Sequence, residues 1–271
     1  MKTIKYIASL LAGITLFSCD NFEDINTNPD AVTKVSPKLL ATGAIVGLMK
    51  PSKGKDFIYN QMTCKYIGWS EALEGTQYNN FRRESFSGYT SLTNYKLMAE
   101  LTDKDETMNE DKRNAYKGLA LFLKAYRLFE YTLNVGDIPY EGILEGKEGN
   151  LTVAYNTQED VFKFLLNDLD KAHEYFQNAN QTTFDGDPIF GGKVEQWHRV
   201  SNALELRVLI NLSKKINSTD INIKSKFNEI LDRNLLLRSN ADNLQITFST
   251  KEGQLYPFNE SLHSYRQYVM I

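Results

Sequence analysis

The sequence predicts a mainly α-helical protein, a tetratricopeptide-like scaffold of helix pairs with long irregular loops. Three observations lead there. Apolar residues recur at the i, i+3, i+4, i+7 spacing of one helical face in several long segments. Serine, threonine, glycine and proline stand where those segments should start and stop. The segments follow one another at a loose spacing of about 40 residues, as stacked helix pairs do. The strict repeat signature is absent, so the repeat inference rests on helix length and spacing.

In chain order, the first feature is a leader. Met1, Lys2 and Lys5 precede an apolar run from Tyr6 to Phe17, and the junction reads Leu16-Phe17-Ser18-Cys19. A positive start, a short apolar core and small residues at the cut describe a secretory signal. A cysteine where the mature chain would begin is the lipobox arrangement of bacterial lipoproteins. Residues 1–18 are therefore read as a lipoprotein signal peptide and Cys19 as the lipid attachment site. The run is shorter than the roughly 20 residues a membrane-spanning helix needs. Acyl chains on Cys19 would instead contribute about 0.8 kcal/mol per buried methylene, and several together anchor stably. Residues 19–36 are polar, acidic and rich in turn formers, as suits a tether. Asp20 has two readings, inner-membrane retention or, within an acidic cluster, export to the cell surface.

Residues 37–271 are read as the helical domain. Ser36 caps a first helix with Pro37 in its first turn; Leu39, Leu40, Ile45, Leu48 and Met49 mark it, and Pro51 stops it. A second segment, capped by Asp56, carries Phe57, Ile58, Met62, Tyr66 and Ile67. Gly68 to Gly88 has no clear periodicity and is expected to be a long, partly exposed loop. A long helix is expected over 111–134, with Leu119, Phe122, Ala125, Tyr126, Phe129 and Leu133 on one face and Gly136 and Pro139 at its end. Gly142 to Gly149 is a connector. Thr157 caps the next helix, whose stripe is Val161, Leu165, Leu169, Ala172 and Phe176. A loop follows over 177–192. A further helix is expected over 194–216, with Trp197, Val200, Leu204, Val208 and Leu212 inside, then a shorter one over 221–235. The tail from Leu244 reads as irregular.

Composition narrows the function. Fifteen Tyr, fifteen Phe and two Trp supply a core with aromatics left over for a binding surface. The formal net charge is −3, and no Lys/Arg-rich run offers a footprint for nucleic acid. With only two cysteines and Cys19 lipidated, Cys64 has no disulfide partner. His173, His198 and His263 are far apart in sequence, and no pair has metal-ligand spacing. Nucleotide-binding and nucleophile motifs are missing. Asp103-Lys-Asp105-Glu106 starts like a calcium loop but has Met108 where glycine is needed, so a helix-joining loop is the better reading. Asp185 and Asp187 alone are weak calcium ligands. No metal or cofactor is expected, and nothing singles out the carboxylate pair a glycosidase needs.

The best recognition candidate is the Gly68–Gly88 stretch. Aromatic faces stack on the apolar faces of sugar rings, and amides and guanidiniums take the hydroxyls. Trp69, Tyr78, Asn79, Asn80, Phe81 and Arg82 supply that mixture. The competing reading is that Trp69 and Phe81 pack the loop onto the helices.

Several motifs, in order, carry a family likeness. Phe22-Glu-Asp-Ile-Asn-Thr-Asn-Pro-Asp30 is followed by Ser36-Pro37-Lys38-Leu39-Leu40. Gly136-Asp137-Ile138-Pro139-Tyr140 follows the long helix. Then come Gln196-Trp197, Asn202-Ala-Leu-Glu-Leu-Arg207 and Leu255-Tyr256-Pro257. With the lipobox, these resemble the SusD/RagB outer-membrane lipoproteins. The resemblance implies a tetratricopeptide-like scaffold whose irregular loops build a ligand face. It implies a non-enzymatic surface protein that binds oligosaccharides, or peptides in some branches, for a SusC-like TonB-dependent transporter. It implies outer-membrane localisation through the lipid anchor. The alternative function is a helical-repeat adaptor that binds a protein. Family members run to about twice this length, so the C-terminal part of the scaffold is expected to be incomplete and the chain alone poorly stable or weak in binding.

Overall fold

The computed structural model describes residues 35–49, 61, 63–66, 83, 85–179, 181–252 and 254–256. The chain divides into two compact units, residues 1–35 and 36–271, and all the described helices lie in the second. They are α1 (Pro37–Met49), α2 (Thr90–Lys104), α3 (Glu110–Val135), α4 (Gln158–Asn178), α5 (Val194–Asn211) and α6 (Ile223–Asp232). Among the described residues the only β pairing is two isolated bridges, Ile138 with Asn156 and Thr183 with Lys193.

Side-chain contacts show that neighbours from α2 to α5 run antiparallel. Lys117, early in α3, pairs with Asp103 at the end of α2, while Tyr131, late in α3, reaches Gly88 just before α2. Phe129 meets Phe162 edge-on across α3 and α4, with ring centroids 6.1 Å apart. His198 at the start of α5 meets His173 near the end of α4. This is the expected scaffold of helix pairs.

The expected stripes of α4 and α5 are buried throughout, from Val161 to Phe176 and from Trp197 to Leu212. In α3, Leu133 is instead exposed and Thr132 is buried, because a stripe of 3.6-residue period drifts over so long a helix. In α1 the inward face is Ala41, Ala44 and Ile45, with Leu39 exposed. Small residues there let α1 lie close to α2 and α3. The second expected segment falls mostly outside the described residues; Tyr66, which it carries, is exposed.

α2 was not anticipated from periodicity. Its buried residues are Leu92, Tyr95, Met98 and Thr102, and a threonine in that row blurs the stripe. Elsewhere the helix ends follow capping chemistry. Asn109 accepts from Lys112 N–H at the start of α3, and Thr157 from Asp160 N–H at the start of α4. The expected helix over 194–216 ends at Asn211, followed by a 3-10 turn at Ser213–Lys215.

The motif residues hold this scaffold together. Gly136 closes α3 by donating to Thr132 O. Asp137 accepts from Gln158 N–H at the head of α4 (2.8 Å), and Ile138 is buried in between. Asp187 binds the loop ahead of α5, accepting from Ile189, Phe190 and Gly192 N–H and from the buried Trp197 indole at 2.8 Å. Gly192 has φ of +80°, and a Cβ there would lie 1.8 Å from Phe184 O, so glycine is required.

Two buried polar groups lock α4, α5 and α6. Glu205, 0% exposed, accepts from Arg233 at 2.7 Å and lies 3.6 Å from Lys226. Both cations also reach Asp170 and Glu229. Burial pushes the Glu205 carboxyl up to about 7, against the pull of Arg233. Beside them, His198 Nε2 and His173 Nδ1 are 2.6 Å apart, although they are distant in sequence. Burial lowers the pair to about 3 and about 4, so both rings are neutral and one donates to the other.

Candidate functional site

The candidate ligand residues Trp69, Tyr78, Asn79, Asn80, Phe81 and Arg82 lie outside the described residues, as does Cys19. What the structure describes is the C-terminal end of the Gly68–Gly88 stretch, from Ser85 onward. Ser85 caps the turn Phe86–Tyr89, which leads directly into α2. Tyr131 of α3 receives this turn, with its hydroxyl accepting from Gly88 N–H (2.9 Å) and donating to Ser85 O (3.1 Å). Phe86 stacks on the Tyr131 ring at 5.5 Å, and Tyr89 tilts against both rings. The Tyr89 hydroxyl donates to Pro139 O, and burial raises it well above the usual phenol range. A Cβ on Gly88 would sit 2.4 Å from the Tyr131 oxygen, so a larger residue there would push the hydroxyl out of this hydrogen bond.

The loop is thus clamped at its C-terminal end to α3 and to the Gly136–Pro139 turn. Tyr131→Phe should cost about 1 kcal/mol by orphaning the Gly88 N–H. Hydrogen exchange at the Gly88 amide should rise about fivefold, with α3 amides unchanged.

A second concave feature lies between α2, α3 and α4, a groove of about 380 Å³ with the Leu144 segment among its lining. Its floor is apolar, from Leu92, Ala99, Ala120 and Leu121. Above the floor stand Lys117, ion-paired with Asp103, and Lys96, which donates to Leu144 O at 2.6 Å and pairs with Glu148 at 3.3 Å. Lys124 Nζ is 2.9 Å from Asp168 and 4.4 Å above the Tyr140 ring. The Tyr140 hydroxyl donates to the same carboxylate at 2.6 Å, and burial raises that phenol far above its ordinary value. Sequence reading missed this groove because its wall is α2, the helix with no clear stripe.

Two acidic motifs prove to be structural. Asp105 accepts from Thr107 N–H and hydroxyl, shaping the α2–α3 joint as a helix-joining loop. Asp187 is engaged with the backbone and Trp197, and Asp185 pairs with Lys112. Among the described residues no group of three His, Cys, Asp or Glu side chains could hold a metal ion. Cys64 is an exposed free thiol. Among the described residues, no helix is long and apolar enough to cross a membrane.

Residues 29–270 match the family model SusD-like, described as starch-binding and associating with the outer membrane. The chain belongs to the SusD-like family. The solved structures agree. A SusD homologue from Bacteroides fragilis is 40% identical, with a TM-score of 0.77 over 85% of this chain and 47% of that one. A second from the same species is 33% identical, with a TM-score of 0.71 over 83% and 46%. An outer-membrane protein of Bacteroides vulgatus, a candidate for nutrient binding, is 28% identical, with a TM-score of 0.70 over 83% and 46%. No curated protein matches the chain. This SusD-like chain spans just under half the length of these solved relatives.

Proposed function

We propose that this SusD-like protein is a non-enzymatic surface lipoprotein, anchored to the outer membrane through Cys19. It captures oligosaccharides and passes them to a SusC-like TonB-dependent transporter. The observation that carries this reading is the family match over residues 29–270, whose description is starch binding at the outer membrane. The clamped foot of the Gly68–Gly88 loop supports it, because a recognition loop needs a fixed base. Trp69, Tyr78 and Phe81 would stack on sugar rings, and Asn79, Asn80 and Arg82 would take the hydroxyls.

Affinity electrophoresis of the Cys19→Ala protein in gels cast with plant, host and microbial polysaccharides tests this. One polysaccharide should retard the protein, and Trp69→Ala with Phe81→Ala should weaken retardation at least tenfold. A folded protein that no polysaccharide slows would overturn the glycan reading in favour of a peptide ligand.

A further inference from the structure

We propose that the groove between α2, α3 and α4 is a second binding site, taking a short segment of neutral oligosaccharide. The inference rests on the glycan reading above but places sugar at residues far from the Gly68–Gly88 stretch in sequence.

The groove's volume, about 380 Å³, is that of a small-molecule site, and its floor of alanine and leucine side chains suits the C–H face of a sugar ring. Its polar groups come in both signs and close together. Lys117 pairs with Asp103, Lys96 with Glu148 and Glu100, and Lys124 with Asp168. Four carboxylates face three lysines and every lysine is already paired, so an anionic ligand would find no cation left over. A hydroxyl, which both donates and accepts, meets such a wall without displacing an ion pair.

The wall is also ordered in advance. Asp168 and Tyr140 are buried, and they hold Lys124 from below. Lys117 is held by Asp103 and lies 6.0 Å over the Tyr175 ring. An ammonium has three N–H donors, so Lys117 and Lys124 keep donors beyond the one their carboxylate takes. Fixing these side chains before binding removes an entropic cost from recognition.

A peptide fits less well. The groove is walled largely by helices, whose backbone N–H and C=O groups are spent on their own turns. It therefore offers no strand edge for main-chain pairing.

The test is methyl NMR of the full-length Cys19→Ala protein, titrated with maltoheptaose and with whichever neutral oligosaccharide derives from a polysaccharide that retards it. The methyls of Ala99, Ala120 and Leu121 should shift saturably. Ala99→Trp, which fills the groove, should abolish those shifts and weaken affinity at least tenfold. Glu100→Gln, which leaves the buried Lys124–Asp168 pair intact, should weaken it about threefold. Sugar binding with the groove methyls unmoved would overturn this site while leaving the glycan reading standing. Groove shifts with an unstructured neutral peptide, and none with sugar, would also overturn it. A folded protein that binds no sugar at all would overturn both.

Discussion

Replacing Arg233 by Met should cost about 3–5 kcal/mol at pH 8, the usual penalty for stranding a buried charge. Glu205 is wholly buried, and the Arg233 guanidinium 2.7 Å away is its nearest cation; Lys226 at 3.6 Å would remain. Arg233 also holds Asn202 Oδ1 (3.0 Å), Asp170 and Glu229, so its loss loosens α6 from both α4 and α5.

The cost should depend on pH. The folded-state value of the Glu205 carboxyl, about 7, lies above the ordinary 4.5. The native protein therefore holds this proton more tightly than the unfolded chain. Its contribution to stability is fully present below pH 4.5 and is lost as pH rises towards 7 and beyond. Without Arg233 the carboxyl is held higher still. At pH 5 it takes a proton and the penalty shrinks to roughly half. Urea denaturation followed by circular dichroism at pH 8 and pH 5 measures this. Arg233→Met with Glu205→Met should recover most of the loss. An equal loss at both pH values would show that Glu205 is not the group left stranded.

The neighbouring histidines act with the opposite sign. His198 and His173 are lowered from 6.5 to about 3 and about 4. The unfolded chain binds their protons first, so this contribution is present above pH 6.5 and is lost as pH falls. Between pH 6.5 and 4.5 the two effects oppose each other. Below 4.5 the Glu205 contribution has saturated and only the histidine loss continues.

Trp197→Ala should destabilise the protein by about 3–5 kcal/mol, because it empties a large site that cannot collapse easily. The ring is 0% exposed and meets Phe122 at 5.6 Å and Phe190 at 5.4 Å, both edge to face. Its indole N–H is also one of the donors that orient Asp187. Losing it should loosen the Asp187–Gly192 turn, where Gly192 lies hard against Phe184. A drop in the unfolding midpoint of about 10 °C is expected for a domain of this size. Trp197→Phe keeps the edge contacts and loses the N–H, so it should cost about 1–2 kcal/mol. A near-unchanged midpoint for Trp197→Ala would contradict this account of the packing.

Much of the scaffold was legible before any coordinates. α3, α4 and α5 each carry a stripe long enough to outweigh local noise, and Thr157 caps α4 as its position led one to expect. α2 escaped because Thr102 stands in its buried row and its four charged residues, Lys96, Glu100, Asp103 and Lys104, crowd its C-terminal part. The apolar residues that mark α1 did not say which face is inward: Leu39 is exposed, and Ala41, Ala44 and Ile45 are buried. The motif residues that identify the family proved to be scaffold: Asp137 at the head of α4, Trp197 on Asp187, Asn202 on Leu235 O. The candidate residues Trp69 to Arg82 carry no periodicity that could place them, and they lie outside the described residues.

By itself the sequence determined what is local or repeated: helix positions, caps, stripes and the ordered motifs of the SusD-like family. Those depend on neighbours within a few residues along the chain. Only the tertiary structure decided which distant groups meet. His173 finds His198, Arg233 reaches back to Asp170 and Glu205, and Tyr131 clamps Gly88. The groove of α2, α3 and α4 belongs to the same class, because a concave face exists only once three helices have packed and their charged side chains have paired across it.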